Sequence, residues 1–403
     1  MRRPPLVIFV LVAAAAAQPA LAQTSLTRAA AVQTAIDRGG RLGVARASAA
    51  VANASLLAAR AFPNPSLSLS YSKDQPSYHG LIELPLDLPW LRRLRVQSAQ
   101  LGLQAAQIEY QRARATIGLD ADTIYTNAIA ARERLALARR NAHDADSLLR
   151  MVERRRDAGD ASDLDVELAR VNAGQEANVA AADSLTWLGA LLDLQAALGL
   201  ASDHVEVSAT DSLTMPPEAS VPGAVTLGET AASLTLESAT LAARLEHRSL
   251  WASPMLTGGF DWGDPTQNHG GPLPTFGLGI GLPLLDRNRG AIAQAEAERT
   301  RAEAELTLAR IEARTEIAHG THEWQNAMAR VRRDQAVVTS AERVAAMSLT
   351  AYREGAAALP NVLEAQRTAR DVMGQYIDDL AAAWIAAAEL RVLALTPSTT
   401  SQP

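Results

Sequence analysis

The stretch PSLSLSYS, residues 65–72, alternates polar and apolar residues in a chain that otherwise looks helical and rich in alanine. In a β-strand, successive side chains point to opposite faces, so Leu67, Leu69 and Tyr71 would share one face and the serines the other. An apolar strand face has to be covered, yet little else in the sequence has strand character. This strand therefore raises the question of what completes its sheet.

The composition favours helices that pack closely on one another. The chain has 403 residues, of which 48% are hydrophobic but only 4% aromatic, and alanine supplies much of the apolar part. Its net charge of −6 argues against a general nucleic-acid partner. It contains no cysteine, which excludes disulfides and thiolate metal sites.

Residues 1–22 have the pattern of a secretory signal peptide. Arg2 and Arg3 precede the apolar run LVIFVLVAAAAA, and residues 20–22 form an A-x-A cleavage site. We therefore expect an exported protein that begins at Gln23 and, without a cysteine, carries no lipid. Past residue 23 we expect no run to approach the roughly 18 apolar residues of a membrane helix. Any membrane span is expected to use strands.

The prolines divide the chain into short strand zones and long helices. They cluster at 63–89 and 254–283, and proline is excluded from helix interiors but tolerated at strand ends and turns. The clusters predict β-hairpins at 65–88 and 254–284, each followed by a helical hairpin, at 92–198 and 288–395. At about 1.5 Å per residue, the first helix of each pair would be on the order of 100 Å long.

The two halves of the chain form an internal repeat. From Val96 and Ile292 onward they match at a constant offset, which pairs Gly159 with Gly355, and a repeat of this length predicts the architecture. The helices have coiled-coil spacing, interrupted in the second half by Asp334. The predicted organisation is a signal peptide (1–22), a first repeat that opens with an N-terminal helix (23–199), a linker (200–235), a second repeat (236–396) and a disordered tail (397–403).

The second hairpin shows the same alternation as the first, with glycines between its apolar residues. Apolar residues on one face and small polar residues on the other are typical of a transmembrane β-barrel. Four strands cannot close a barrel, and an open edge is not tolerated in lipid, so the strand count predicts that several chains pool their strands. The alternative is a soluble sheet packed on the helices. The residues expected to face lipid are Leu67, Leu69, Tyr71, Phe260, Trp262, Phe276, Leu278 and Ile280.

Four motifs carry a resemblance to a known family. They are FPNPSLSLSYS (62–72), AGDASDLDVELAR (158–170), LPLLDRNRGAIAQAEAE (282–298) and YREGAAALPNVLEAQ (352–366). Together with the repeat, they resemble the TolC family of outer-membrane efflux ducts over essentially the whole mature chain. The motifs LPNVLEAQ and LLDRNRG are more similar to those of the heavy-metal (CzcC-like) branch than to those of the drug-efflux lipoproteins.

The resemblance implies a mainly α fold with a small β part. Long coiled-coil hairpins would form a periplasmic α-barrel, and a homotrimer would pool about twelve strands into a transmembrane β-barrel in outer-membrane lipid. The implied partners are a periplasmic adaptor and an inner-membrane pump, of the resistance-nodulation-division type. Gated conduction involves no bond chemistry, so neither an enzyme nor a cofactor is expected.

The resemblance also assigns roles at the hairpin tips. Asp165, Asn361 and Glu364 fall where the family places its constricting polar side chains, and three copies would turn each into a ring that favours cations. Gly159 and Gly355 suit the left-handed position after a helix, and Ser162 with Asp165 resembles a capping box. The tip residues expected to contact the adaptor are Gly159, Asp160, Ser162, Gly355, Ala356, Leu359 and Pro360.

The remaining candidates have simpler interpretations. His319 and His322 stand three residues apart on a helix, but two histidines without a third ligand favour solvated side chains over a metal site. Arg154, Arg155 and Arg156 suit the C-terminal end of a helix dipole. No nucleophile elbow or phosphate loop is present. A soluble periplasmic coiled-coil scaffold and a duct for organic compounds remain the alternatives to a metal efflux duct.

Overall fold

The structure, a computed structural model, describes residues 24–38, 40–200, 204–219, 223, 225–249, 254–263, 272–283 and 285–396. The predicted signal peptide (1–22) and tail (397–403) lie outside these residues. The elements in chain order are β1 (Thr24–Leu26), α1 (Arg28–Arg38), α2 (Gly40–Arg60), β2 (Ser66–Tyr71), β3 (Tyr78–Pro85), α3 (Pro89–Asp157), α4 (Asp163–Ala197), β4 (Val207–Ala209), α5 (Leu227–Arg248), β5 (Met255–Trp262), β6 (Leu273–Gly279), α6 (Arg289–Arg353) and α7 (Leu359–Leu393).

The helix bounds follow the repeat seen in the sequence. Helices α4 and α7 have 35 residues each, and the bounds of α7 are those of α4 moved by the repeat offset. Helices α3 and α6 have 69 and 65 residues, so each is on the order of 100 Å long. Pro89 lies in the first turn of α3, where a proline is tolerated, and the helix therefore begins slightly before the predicted residue 92.

The helices form a layer of four rods. Helices α3 and α6 run the full length, α2 and α4 pack along α3, and α5 and α7 pack along α6 and also along α3. The order across the layer is therefore α2/α4, α3, α5/α7, α6. Small side chains allow this close packing. Of the six predicted coiled-coil positions of α3, four are buried, Leu135, Ala138, Ala145 and Val152, and two are half-buried, Ala142 and Leu149.

A small parallel sheet joins the N-terminal segment to the segment that follows α4. β1 pairs with β4 from Thr24–Val207 to Leu26–Ala209, and Val207 lies in the main apolar core with Tyr125 and Leu194. The 200–235 segment, predicted as a linker, contains β4 and the start of α5. The predicted N-terminal helix is described as helical at 28–38 and at 40–60. A three-residue strand in a segment rich in proline and serine has no sequence period from which to predict it.

A polar network ties this joint to both repeats. The Arg28 guanidinium pairs with Asp122 of α3 and lies 4.1 Å from the ring centre of Trp384 in α7. Arg391 of α7 reaches the same carboxylate at 3.1 Å. The Tyr125 hydroxyl donates to the Leu26 carbonyl at 2.8 Å. Burial raises the pKa of Tyr125, as expected for a phenol held within the helix layer.

The four longer strands form one antiparallel sheet in the order β2–β3–β5–β6. Strands β3 and β5 pair over their full lengths, from Tyr78–Trp262 to Pro85–Met255, so the two hairpins of the repeats make a single sheet. Within the described residues, β2 and β6 are paired along one edge each. Each chain therefore presents two open sheet edges.

One helix segment revises the expectation about membrane-length helices. Among the described residues, Leu42–Arg60 of α2 is long and apolar enough to cross a membrane by length and composition. The search for apolar runs missed it because Arg46 and Asn53 interrupt the run, although alanine, valine and leucine keep the mean hydropathy of the whole segment high. In this fold α2 packs along α3 and buries Leu56 and Ala59.

Candidate functional site

The four-stranded sheet has one apolar face that no described part of the chain covers. The register places Leu67 beside Ile82, Tyr71 beside Tyr78, and Tyr78 beside Trp262, so most large apolar residues of the four strands share a face. The exceptions, on the other face, are Leu81, Met255 and Leu273. Phe276 is 83% exposed and Leu69 75%. Seven of the eight residues predicted to face lipid lie within these strands; Ile280 lies just beyond the end of β6 and is also exposed.

The opposite face of the sheet is polar and internally hydrogen-bonded. His79 Nδ1 lies 2.8 Å from Asp261 Oδ1, and the Thr275 hydroxyl donates to Asp261 Oδ2 at 3.1 Å. Near the other end, the Ser66 hydroxyl donates to Glu83 at 3.2 Å. The sheet therefore has one face suited to an apolar medium and one suited to water.

Both helical hairpins turn through the same backbone motif. Gly159 and Gly355 have φ of 84° and 76°, the left-handed conformation that favours glycine. The amide of the residue after each glycine bonds back across the turn, from Asp160 to the Arg155 carbonyl and from Ala356 to the Ala351 carbonyl, both at 2.8 Å. These are Schellman motifs, and they satisfy carbonyls at the ends of α3 and α6.

The second helices of the two hairpins begin differently. Helix α4 has a complete capping box: Ser162 Oγ accepts from the Asp165 amide at 3.2 Å, and Asp165 Oδ2 accepts from the Ser162 amide at 3.0 Å. Helix α7 begins after Ala358, which makes no side-chain cap. Asp165, predicted as a gate residue, is thus bound within its own tip.

A shared apolar core holds the two tips together. It combines Val152 and Val166 of the first hairpin with Tyr352, Leu359 and Val362 of the second. This corrects the assignment of Leu359 to the adaptor contact, because its side chain is 1% exposed. The other six predicted contact residues are exposed.

Arg155 links the tips across this core. Its guanidinium donates to the Tyr352 carbonyl and lies 4.6 Å from the centre of the Tyr352 ring, a cation–π arrangement. The Tyr352 hydroxyl is buried without a hydrogen-bond partner, and burial raises the pKa of Tyr352 while the Arg155 charge opposes that rise. The sequence explained Arg155 only as a cation at a helix end, because its partner lies 197 residues away.

The other two gate candidates are exposed. Asn361 and Glu364 lie in the first two turns of α7 with exposed side chains. Glu364 borders a groove of about 1120 Å³ between α4 and α7, which Leu168, Val171 and Arg367 also line. The structure therefore separates the three predicted gate residues into one that caps a helix and two that are free on the surface.

The histidine pair has no metal-site geometry. His319 is exposed and pairs with Glu323 at 3.4 Å, and His322 is exposed. Across the described ranges, no group of three or more histidine, cysteine or acidic side chains could hold a metal ion.

Exposed large apolar side chains concentrate on the two outer rods of the helix layer. Within the described parts of the inner rods, Trp90 at the start of α3 is the only one, and α5 and α7 have none. The outer rods have many: Val44, Val51 and Leu57 on α2, Leu164, Leu168, Val171, Val179, Leu185, Leu188 and Leu192 on α4, and Leu308, Ile311, Val337, Val344 and Met347 on α6.

Comparisons with solved structures show the same fold in outer-membrane channels. The outer membrane protein VceC of Vibrio cholerae superposes with a TM-score of 0.74 at 18% identity, over 91% of this chain and 96% of that one. The CmeC outer membrane channel of Campylobacter jejuni gives 0.76 at 16% identity, over 91% and 85%. The open state of the MtrE outer membrane channel of Neisseria gonorrhoeae gives 0.72 at 16% identity, over 90% and 88%.

Sequence comparison locates the family in both repeats. No curated protein sequence matches this chain. The profile of the outer membrane efflux protein family matches residues 31–200 and 231–394, which are the two repeats without the segment that joins them. This chain belongs to the outer membrane efflux protein family.

Proposed function

We propose that this protein is the exit duct of a tripartite efflux system, which conducts small substrates, heavy-metal cations among them, from a periplasmic adaptor and a pump to the exterior. Membership of the family confirms the predicted outer-membrane location, the TolC-like fold and the expectation that the protein is not an enzyme. Proteins of this family form trimeric channels that work with adaptor and pump partners.

The observation that carries the proposal is the sheet with one uncovered apolar face. A soluble scaffold would bury these side chains on its helices, whereas here Leu69 and Phe276 are among the most exposed apolar residues of the chain. Lipid on this face and water on the polar face would satisfy both.

The sheet can be tested with two adjacent residues on opposite faces. Leu69→Asp places a charge on the face proposed to contact lipid, and Ser68→Asp places the same charge on the polar face, opposite the uncharged Leu81. We expect Leu69→Asp to abolish outer-membrane insertion and Ser68→Asp to leave it intact, since charge on a lipid face is costly. Fractionation and heat-resistant trimer analysis measure both, and equal insertion of the two variants would contradict the proposal.

The outer rods support association of three chains side by side. In a closed ring, α6 of one chain would lie against α2/α4 of the next, and the open edges of β2 and β6 would pair in the same way. The exposed apolar residues lie where this arrangement needs them.

A second pair of variants tests the ring. Ile311→Glu changes a 59% exposed residue of the outer rod α6, and Thr368→Glu changes an exposed residue of the inner rod α7. We expect the first to prevent trimer formation and the second to permit it. A trimer that tolerates Ile311→Glu equally well would exclude this interface.

An exposed acidic side chain at the second tip supports a cation-selective gate and a metal substrate. Glu364 is exposed and unpaired among the described residues, and three copies would supply a carboxylate ring that favours cations. The motif LPNVLEAQ also resembles the heavy-metal branch of the family. Together these features favour metal cations as the substrate and a pump of the resistance-nodulation-division type. Deleting the protein and challenging cells with metals and with organic drugs tests the assignment: unchanged metal tolerance with raised drug sensitivity would favour the organic-compound alternative.

A further inference from the structure

All four junctions between strands and helices lie at one end of the sheet. Ser66 at the start of β2 pairs with Glu83 near the end of β3, Pro85 pairs with Met255 at the start of β5, and Met255 pairs with Gly279 at the end of β6. Helices α2, α3, α5 and α6 therefore meet the sheet at the same level. We call this level the collar and define it as residues 60–62, 86–95, 246–249 and 285–289.

The collar is strongly basic in a chain that is acidic overall. It contains seven arginines and three carboxylates, Asp87, Glu246 and Asp286, whereas the whole chain has a net charge of −6. Because arginine stays protonated in proteins, the positive charge of these seven side chains does not depend on pH.

The collar carboxylates are engaged in the fold. Asp87 pairs with Arg95 at 2.8 Å and Arg92 at 3.5 Å. Glu246 accepts from the Asn288 side chain at 2.9 Å, and Asp286 accepts from the Asn288 amide at 2.9 Å. Asn288, with a left-handed φ of 56°, thereby fixes the end of α5 to the start of α6.

The other five arginines are exposed and without an ion pair to any described carboxylate. At least one of them lies at each junction, so the unpaired positive charge is spread over all four. They are Arg60, Arg93, Arg248, Arg287 and Arg289.

Exposed apolar side chains stand among these arginines. Phe62 is 68% exposed under the Arg92 guanidinium, 4.3 Å from its ring centre, Trp90 is 55% exposed, and Leu285 is fully exposed. They lie beyond the end of the sheet at which Leu84 and Leu256 are the last apolar residues of β3 and β5 on the apolar face. Aromatic and basic residues at the end of an apolar band are typical of the boundary between lipid tails and headgroups.

We propose that the collar binds the anionic headgroups of phospholipids in the periplasmic leaflet of the outer membrane. The inference rests on the proposed function, because it requires the sheet to span that membrane. The long helices leave the sheet at the collar, so this end faces the periplasm. Guanidinium groups bind phosphate oxygens through two parallel hydrogen bonds, and Trp90 and Phe62 would lie at the base of the headgroups.

The experiment measures phosphatidylglycerol retained by the full-length protein. Protein is incorporated into phosphatidylcholine vesicles that contain or lack phosphatidylglycerol, re-extracted in mild detergent, and its bound lipid is quantified by mass spectrometry. The test variant is Arg287→Gln with Arg289→Gln. The matched control is Arg332→Gln with Arg343→Gln, which removes the same charge from exposed, unpaired positions of α6 far from the collar.

We expect the collar variant to bind phosphatidylglycerol roughly 25-fold more weakly, about fivefold for each arginine removed, and the control to match the wild type. Higher salt should reduce the wild-type preference. If the collar variant forms no trimer, Arg60→Gln with Arg93→Gln tests the other half of the collar by the same measurement.

Two outcomes would overturn the proposal and are distinguishable from each other. If the wild type enters vesicles but retains phosphatidylglycerol no better than phosphatidylcholine, or if collar and control variants retain it equally, the headgroup site is wrong and the duct stands. If the wild type does not enter vesicles at all, both the collar and the proposed function fail.

Discussion

The two hairpin tips, residues 155–166 and 351–362, have the same backbone and different chemistry. Both turn at a left-handed glycine within a Schellman motif, and both contribute a buried valine, Val166 or Val362, to one core. The first tip then closes a capping box on Asp165, whereas the second starts from Ala358 without a side-chain cap. The repeat preserved the turn and the core, and it left the helix starts free to diverge.

This difference suggests which tip moves. The cap holds the start of α4 in place, while α7 depends for its position on Leu359, on the shared core and on the Arg155 contact to Tyr352. An opening motion is therefore expected in the second tip first, because fewer local bonds hold its helix start.

The largest effect on stability is expected at Leu359. This leucine is buried in the second tip, whereas the matching residue of the first tip, Asp163, is exposed. Leu359→Ala should destabilise the second tip by roughly 2–5 kcal/mol, because it leaves a cavity in the tip core. The equivalent first-tip change, Asp163→Ala, affects an exposed residue and should cost at most about 1 kcal/mol. Hydrogen exchange of the tip amides measures both. Equal protection in the two variants would mean that the second tip does not depend on this core.

Next in size is the contact between the tips. Arg155→Ala removes a charged hydrogen bond and a cation–π contact, and it should cost roughly 1.5–3 kcal/mol of closed-tip stability. We expect higher channel conductance in planar bilayers, which reports the open population. The control is Arg154→Ala, whose guanidinium donates to the Arg150 carbonyl of its own helix. Conductance raised equally by both variants would exclude a specific link.

The two hairpins also differ at Asp334, whose counterpart in the first repeat is the buried Ala138. One carboxylate oxygen of Asp334 is buried without a partner; burial, and secondarily the neighbouring Asp379 carboxylate, raise the pKa of Asp334. In contrast, hydrogen bonds from Arg330 and Gln375 to Asp379 lower the pKa of that residue against its burial. Asp334→Ala should stabilise the second hairpin by about 1 kcal/mol at neutral pH.

The stability gained by Asp334→Ala should depend on pH in a definite direction. A raised folded-state pKa means that the favourable contribution of Asp334 is present below its ordinary value of 3.8 and is lost as pH rises. The advantage of Asp334→Ala should therefore be greatest at neutral pH and shrink as pH falls toward 3.8. Denaturant unfolding at several pH values measures it, and a gain that grows in acid would contradict the account.

Exchanging the caps tests the helix starts directly. Ser162→Ala should cost about 1 kcal/mol, because the Asp165 amide loses its acceptor. Ala358→Ser should stabilise α7 by roughly 0.5–1 kcal/mol, since residue 358 already has the extended conformation of a cap, φ −81° and ψ 152°. Opposite changes in tip hydrogen exchange are expected. If Ala358→Ser has no effect, the mobility of the second tip has another origin.

The smallest effect on stability is expected for the free acid of the second tip. Glu364→Gln should change unfolding by less than about 0.5 kcal/mol, because the side chain is exposed, yet it should lower cation selectivity if three copies form a ring. Asp165→Asn should weaken the cap as well. Reversal potentials under a salt gradient measure selectivity, and unchanged values for Glu364→Gln would remove Glu364 from the gate.

The sequence predicted the parts of this molecule that depend on local chemistry. Proline clusters located both β-hairpins, the glycines at 159 and 355 located both turns, and Ser162 with Asp165 foretold a capping box that the structure contains. Alternation in SLSLSY predicted which side chains share a sheet face. Each of these follows from residues that are close in the chain, so their period and spacing are visible in one dimension.

The tertiary structure alone decided the contacts between distant segments. Leu359 is buried, although the resemblance assigned it to the adaptor contact, because the first hairpin covers it. Arg155 contacts Tyr352, and β1 pairs with β4. Seven arginines from four separate segments lie at one collar. The sequence alone determined the repeat and its turns through local preferences. Which surfaces are covered and which charges stay unpaired depends on what each segment meets in space.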